Sequence, residues 1–210
     1  MTRLLVVDDH EIVRAGVKRL LAEVSELTVA GEAGSGADAV SMVRESDWDV
    51  VLLDISMPDM NGIDALQQIK QWKPELPVLI LSSHPEEIYA INLLRAGAGG
   101  YLNKVCAPAE LAGAIRTVAA GGKYVSSSLR RKLASESRGD GHNMPHSDLS
   151  QREFQVFCRL ADGHALTEIA QDLALSVKTI ASYRARLLEK MGMRTVADIT
   201  TYAIKHGLIQ

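Results

Sequence analysis

The feature that most constrains this 210-residue chain is an alternation in its first 120 residues. Five short apolar runs, at 4–7 (LLVV), 27–33, 50–53 (VVLL), 78–81 (VLIL) and 101–102, are separated by stretches whose apolar residues recur at helical spacing. The intervening helices are expected over 11–23, 36–45, 62–72, 86–96 and 108–120. Strands that are apolar at consecutive positions must be covered on both faces, and strand–helix alternation joins such strands in parallel. The expectation is an α/β, doubly wound, five-stranded parallel sheet. In sheets of this kind, ligands sit beyond the carboxyl ends of the strands.

From Leu149 onward the pattern is helical only, with segments over 151–160, 166–173, 177–191 and 196–206. Ser150 followed by Glu153 forms a capping-box signature at the first of them. These segments suit a small all-α domain of about 60 residues, large enough to fold alone. Between the two regions, SESRGDGHNMPHSD (135–148) is polar and carries Gly and Pro, so it reads as linker. His142 and His146 in it have a spacing that could hold a metal on a helix, but the flanking Gly and Pro favour plain linker. A short helix with a basic face is expected over 126–133. The division is therefore residues 1–121, a linker over 122–147, and residues 148–210.

Charge divides the chain in the same way. Residues 1–120 hold 10 Lys and Arg against 17 Asp and Glu, net −7; the remainder holds 13 against 9, net +4, and the two sum to −3. An acidic front and a basic back suggest different partners, with nucleic acid a candidate for the second. Cys106 and Cys158 are too far apart in sequence to suggest a disulfide framework or a metal site. No run of about 18 apolar residues exists, so nothing is expected to span a membrane, and a cytoplasmic location is expected.

The third strand ends on a carboxylate, Asp54, in DVVLLDISMPDMNG (49–62). Alone, an Asp there is most often a cap or turn residue. The first strand, however, also ends on acids, Asp8 and Asp9, and first and third strands are neighbours in a doubly wound sheet. Three carboxylates brought together need a cation or a proton. Hard oxygen ligands suit Mg²⁺, with Mn²⁺ as the alternative ion. The fourth strand ends at Ser82-Ser83 and the fifth at Asn103-Lys104. Hydroxyl, ammonium, metal and carboxylate together form the set needed to hold a phosphoryl group on Asp54, the carboxylate acting as nucleophile.

With these residues assembled, region 1–120 resembles the receiver domain of bacterial two-component response regulators, a flavodoxin-like fold. The resemblance rests on Asp8-Asp9, the run D-x-x-M-P-D-M-N-G from Asp54, Ser82, Tyr101, Lys104 and Pro108. It implies that Asp54 takes a phosphoryl group from a sensor histidine kinase. It implies that Asp9 binds Mg²⁺ directly and Asp8 through water, with the backbone carbonyl of Ser56 as a further ligand. Lys104 would pair with a phosphoryl oxygen, Ser82 would hydrogen-bond the phosphoryl group, and Tyr101 would turn toward the core. Ser82 departs from the commoner Thr: it keeps the hydroxyl and lacks the methyl.

In the basic region, LTEIAQDLALSVKTIASYRARLLEKM reads as two helices joined by a short turn. Ile180, Leu187 and Met191 should face inward. Lys178, Ala181, Ser182, Ala185 and Arg186 then face outward, with Arg184 and Lys190 at the flanks. A slim helix with small residues and cations outward fits the major groove, and Thr179 at its start can meet phosphate. An ordinary bundle with a solvated basic face would show the same charges. The sequence from LSQREFQVF (149–157) onward is similar to the helix-turn-helix domain of LuxR/NarL-type regulators, through Glu153, Gly163, Ile169, Ala170, Leu173, Val177, Thr179 and Leu187. Many members carry Lys or His where Ala181 and Ala185 stand here, so base readout would lean on Lys178, Ser182 and apolar contacts.

The expected function is transcription regulation in a two-component phosphorelay. Phosphorylation of Asp54 would alter dimerisation and sequence-specific binding to double-stranded DNA, with a homodimer on paired half-sites. No enzymatic turnover is expected beyond self-catalysed transfer to Asp54 and hydrolysis. A phosphatase using Asp54 would usually carry a second acid two residues later, where Ser56 stands. A plain protein-interaction module fits the intact acidic site poorly. Phosphorylation-independent DNA binding is the alternative.

Overall fold

The computed structural model describes all residues except 58, 59, 61, 84, 85, 128, 131–144, 174, 207, 209 and 210, and the side chains of 87, 88, 147, 148 and 151 are not described. The chain forms two compact units, Met1–Lys132 and Leu133–Gln210.

The first unit is built on strands β1 (Thr2–Val7), β2 (Leu27–Ala33), β3 (Val50–Asp54), β4 (Val78–Ser82) and β5 (Gly100–Asn103). They form one parallel sheet in the order β2-β1-β3-β4-β5. The helices are α1 (Glu11–Leu21), α2 (Gly36–Glu45), α3 (Gly62–Trp72), α4 (Glu86–Arg95) and α5 (Pro108–Ala119). All residues of β3 and β4 are buried, as continuous apolar strands require when both faces are covered. Side chains alternate across the sheet. Leu4, Val6, Val50, Leu52, Leu79 and Leu81 join Val17 and Leu21 of α1 and Leu111, Ile115 and Val118 of α5 in one core cluster. The buried Ala39, Val40 and Val43 of α2 and Ile63, Leu66 and Ile69 of α3 belong to the opposite layer.

Register positions the strand ends. Val7 pairs with Leu53, so Asp8 and Asp54 leave adjacent strands at the same height. Asp54 pairs with Leu81, and Ser82 with Asn103. The observed elements agree with the sequence expectations to within a residue or two at each end. β5 is longer than the expected two residues, because Gly100 and Asn103 are recruited by pairing with β4.

The first unit continues beyond the boundary expected at 121. Tyr124 bridges to Gly100, and Val125 and Leu129 are buried. Of the helix expected over 126–133, residues 127, 129 and 130 are helical, Ser126 precedes the helix, and 128 and 131–133 lie outside the described residues.

Among the described residues, the second unit opens with a 3₁₀ turn at Pro145–Asp148, followed by α6 (Gln151–Ala161), α7 (Leu166–Asp172), α8 (Val177–Met191) and α9 (Val196–Lys205). Phe154, Phe157, Leu160, Ile169, Ile180, Leu187, Ile199 and Ala203 form its core. The capping box at Ser150 and Glu153 is present in full. Gly192 ends α8 at φ +64°, a left-handed conformation that glycine adopts without strain. The plain-linker reading fails at His146. Its ring is buried, its Nδ1 lies 2.8 Å from the Tyr202 hydroxyl, and it packs on Phe154. A partner more than fifty residues away supplies both burial and a hydrogen bond, which local composition does not reveal. His142 lies outside the described residues.

Candidate functional site

The acidic site stands at the carboxyl ends of β1, β3, β4 and β5. Asp54 is 1% exposed and Asp8 3%. Burying two carboxylates side by side is costly unless a cation lies between them. Lys104 supplies it: its Nζ is 2.7 Å from Asp8 Oδ2 and 2.8 Å from Asp54 Oδ2. The Lys104 backbone N–H donates to Ser82 O at 2.9 Å, which extends the β4–β5 pairing by one residue and aims the side chain across the strand ends. Burial pulls the Lys104 pKa down, but its hydrogen bonds and charge attraction to Asp54 and Asp8 outweigh this and raise it above the ordinary value. The ammonium is therefore fully charged at neutral pH.

Local turns orient the acids. Asp54 Oδ1 accepts from Ser56 N at 3.2 Å, and Asp8 Oδ1 accepts from His10 N at 2.9 Å. Gly62, at the start of α3, permits the chain to fold back against Asp54: a Cβ there would lie 1.9 Å from the Asp54 carbonyl oxygen. Ser82 is fully buried at the end of β4. Tyr101 is 1% exposed, so its ring already lies on the core side.

Two residues that the sequence argument passed over also belong here. His10 Nδ1 lies 2.9 Å from Asp9 Oδ1 and 3.3 Å from Asp8 Oδ1. Arg14 Nη1 donates to the Asp8 carbonyl at 2.7 Å, and its Nε is 3.6 Å from Glu32 Oε2 on β2. The available signal was helical spacing: Arg14 is four residues after His10, on the same side of the first turn of α1.

A divalent cation fits these residues. Asp8, Asp9 and His10 each bring a ligand atom within 4.8 Å of the others. Asp9 Oδ1 and Asp54 Oδ2 are buried oxygens that, among the described residues, face a single nitrogen each, His10 Nδ1 at 2.9 Å and Lys104 Nζ at 2.8 Å. Such oxygens retain lone pairs for a hard cation.

In the second unit, α8 shows the expected inward set: Ile180, Leu187 and Met191 are buried. Lys178, Ser182, Ala185 and Arg186 are exposed, and Thr179, Ala181 and Arg184 are half-buried. Ser176 caps the helix by accepting from Thr179 N at 3.0 Å. Ser182 Oγ donates to Lys178 O at 3.0 Å, which leaves its lone pairs outward. The Arg186 guanidinium lies 5.0 Å from the Tyr183 ring centre. Lys190 does not fit the place foreseen for it among the DNA-facing cations. Its Nζ is 2.6 Å from Oε2 of Glu153, a carboxylate 3% exposed that also accepts from Ser150 N. A buried carboxylate demands a cation, and Lys190 serves that demand inside the domain.

The chain matches the response regulator receiver domain over residues 4–116 and the luxR family of bacterial regulatory proteins over residues 147–203. It is 38% identical over 209 residues to the response regulator UvrY of Escherichia coli K12, covering 99% of this chain and 96% of the relative. It is 36% identical to the response regulator GacA of Pseudomonas aeruginosa, covering 100% and 98%. Among solved structures, a LuxR-family two-component response regulator from Aurantimonas sp. SI85-9A1 matches with TM-score 0.60 and 35% identity over 65% of this chain and 98% of that one. RcsB from Salmonella enterica serovar Typhimurium, bound to promoter P1flhDC in the presence of phosphomimetic BeF3−, matches with TM-score 0.69 and 28% identity over 96% and 97%. The chain belongs to the two-component response regulators of the LuxR family, DNA-binding regulators of transcription whose receiver domain implies control by phosphorylation. Among the described residues no helix is long and apolar enough to cross a membrane.

Proposed function

We propose that Asp54 is the phosphoryl acceptor and that its state controls dimerisation and DNA binding by α8. The observation that carries this reading is the triad Asp54–Lys104–Asp8: a buried carboxylate at a strand end, bridged by one ammonium to a second buried carboxylate on the neighbouring strand. Asp54 attacks phosphorus in line. An O–P bond forms as the P–N bond to a kinase phosphohistidine breaks, and the electron pair leaves with the imidazole nitrogen. Asp8, Asp9, Asp54 and the Ser56 carbonyl would hold Mg²⁺, or Mn²⁺, which supplies positive charge to the phosphoryl oxygens. Lys104 turns from the carboxylates to a phosphoryl oxygen. The Ser82 hydroxyl donates to another and draws its loop inward, and the inward Tyr101 fills the space behind it. The arrangement from α4 to β5 then shifts between two states.

Binding to double-stranded DNA falls to α8, with Lys178 and Ser182 toward base edges and Thr179, Arg184 and Arg186 toward phosphates. The RcsB complex with promoter DNA and a phosphomimetic supports this pairing of phosphorylation with DNA. A homodimer on paired half-sites, a sensor histidine kinase as donor, a cytoplasmic location and no turnover beyond loss of its own phosphoryl group complete the reading.

The test is labelling with acetyl phosphate and Mg²⁺. One phosphoryl group per chain is expected, none in Asp54→Asn, and less in Asp9→Ala or after chelation. Undiminished labelling of Asp54→Asn would overturn the assignment.

A further inference from the structure

The chain that leaves the first unit is bonded to three of its elements. Tyr124 N donates to Gly99 O at 2.9 Å, and Tyr101 N donates to Tyr124 O at 3.0 Å, so residue 124 pairs with the outer edge of β5. This approach requires Gly100, because a Cβ there would lie 2.6 Å from Tyr124 O. The Tyr124 hydroxyl reaches Glu110 Oε1 on α5 at 3.3 Å. Two residues on, Ser126 N donates to Glu86 Oε1 at 2.9 Å. Ser126 Oγ in turn accepts from Leu129 N at 3.1 Å and starts a helical turn.

Glu86 is the first residue of α4 and follows Ser82 by four positions. The Ser126 amide is thus tied to the element that the Ser82 hydroxyl must move. Tyr101 contributes the other tie, since its backbone N–H holds Tyr124 while its buried ring occupies the inward position. The bond from an amide to an ionised carboxylate is charge-assisted, stronger and more directional than a neutral one.

We propose that Glu86 is a positioning residue that latches the start of the interdomain linker to α4, and that the latch transmits the state of Asp54 to the DNA-binding unit. The inward Tyr101 and the closed Glu86–Ser126 latch belong to one arrangement. A phosphoryl group on Asp54 favours it by holding Ser82. With the latch closed, the path of the chain beyond residue 126 is set. With it open, that path is released. This inference rests on the reading of Asp54 as the phosphoryl acceptor controlling DNA binding.

The test uses the full-length protein with and without beryllofluoride, or acetyl phosphate, in Mg²⁺. Affinity for a selected DNA site and hydrogen exchange of the peptide over 122–130 are measured. Beryllofluoride should slow exchange in that peptide of the wild type. Glu86→Ala should accept phosphoryl label to the wild-type extent, yet the ratio of DNA affinities between the two states should shrink by about threefold or more. Glu86→Gln keeps an acceptor oxygen and should keep most of the ratio. A full ratio in Glu86→Ala, or exchange over 122–130 indifferent to beryllofluoride, would overturn the latch alone. Equal DNA affinity in the two states of the wild type would overturn the functional reading and the latch with it.

Discussion

Replacing Lys190 tests whether a cation on α8 serves the domain or the DNA. Lys190→Met keeps most of the stem and removes the charge. The Glu153 side chain is 4% exposed and that of Lys190 42%, at 2.6 Å. Breaking a fully buried pair costs roughly 3–5 kcal/mol, while an exposed pair contributes roughly 0–1. Here one end is dry and the other is screened by solvent, and Glu153 Oε2 keeps its bond from Ser150 N at 2.8 Å. The expected loss is therefore about 2 kcal/mol of second-unit stability. Both tryptophans, Trp48 and Trp72, lie in the first unit, so tryptophan emission follows that unit while circular dichroism follows the helices of both. In urea, the dichroism transition of the second unit should move to lower concentration and the tryptophan transition should stay. A double-mutant cycle with Glu153→Gln should show a coupling of about 1 kcal/mol or more. Acidity provides a further check. Burial pushes the Glu153 carboxyl up, but Lys190 and Ser150 outweigh it and hold the pKa below the ordinary 4.5. A depressed folded-state pKa means the stabilisation is complete above the unfolded value and is lost as pH falls through the folded one. The gap between wild type and Lys190→Met should thus be full at neutral pH and close below 4.5. Salt dependence of DNA binding should be unchanged in Lys190→Met and flatter by about one unit in Arg184→Ala. A lost unit of slope in Lys190→Met with unaltered stability would refute the argument.

Two further substitutions probe the units separately. Lys104→Met leaves the buried Asp8 and Asp54 carboxylates without their shared cation and should cost the metal-free first unit about 3 kcal/mol, with Mg²⁺ restoring part of it; wild-type urea stability by tryptophan emission in chelator would refute this. His146→Ala removes a buried ring and the partner of the Tyr202 hydroxyl and should destabilise the second unit by about 2–3 kcal/mol in thermal dichroism, whereas a residue of plain linker would show no change.

Much of this protein was legible in the chain itself. Continuous apolar strands at 50–53 and 78–81 can only be doubly covered, so a parallel sheet followed, and the helix spacing of Ile180, Leu187 and Met191 selected the inward face of α8. The acids at the strand ends were visible because strand termini are set by the same local pattern. What local pattern does not carry is the partner of a buried charge. The strand-end pattern did place the Lys104 ammonium in the acidic set, but its bridging of Asp8 and Asp54, and Lys190 on Glu153, answer a desolvation cost that arises only once the carboxylates are enclosed. His10 and Arg14 were missed for a related reason: their four-residue spacing puts them on one side of α1 but leaves open that the turn after β1 presents Asp8 to them. The ends of the linker were also decided by tertiary structure: 122–130 is polar enough to pass for linker, but the open edge of β5 and the carboxylate of Glu86 offer its amides the partners that solvent would otherwise provide.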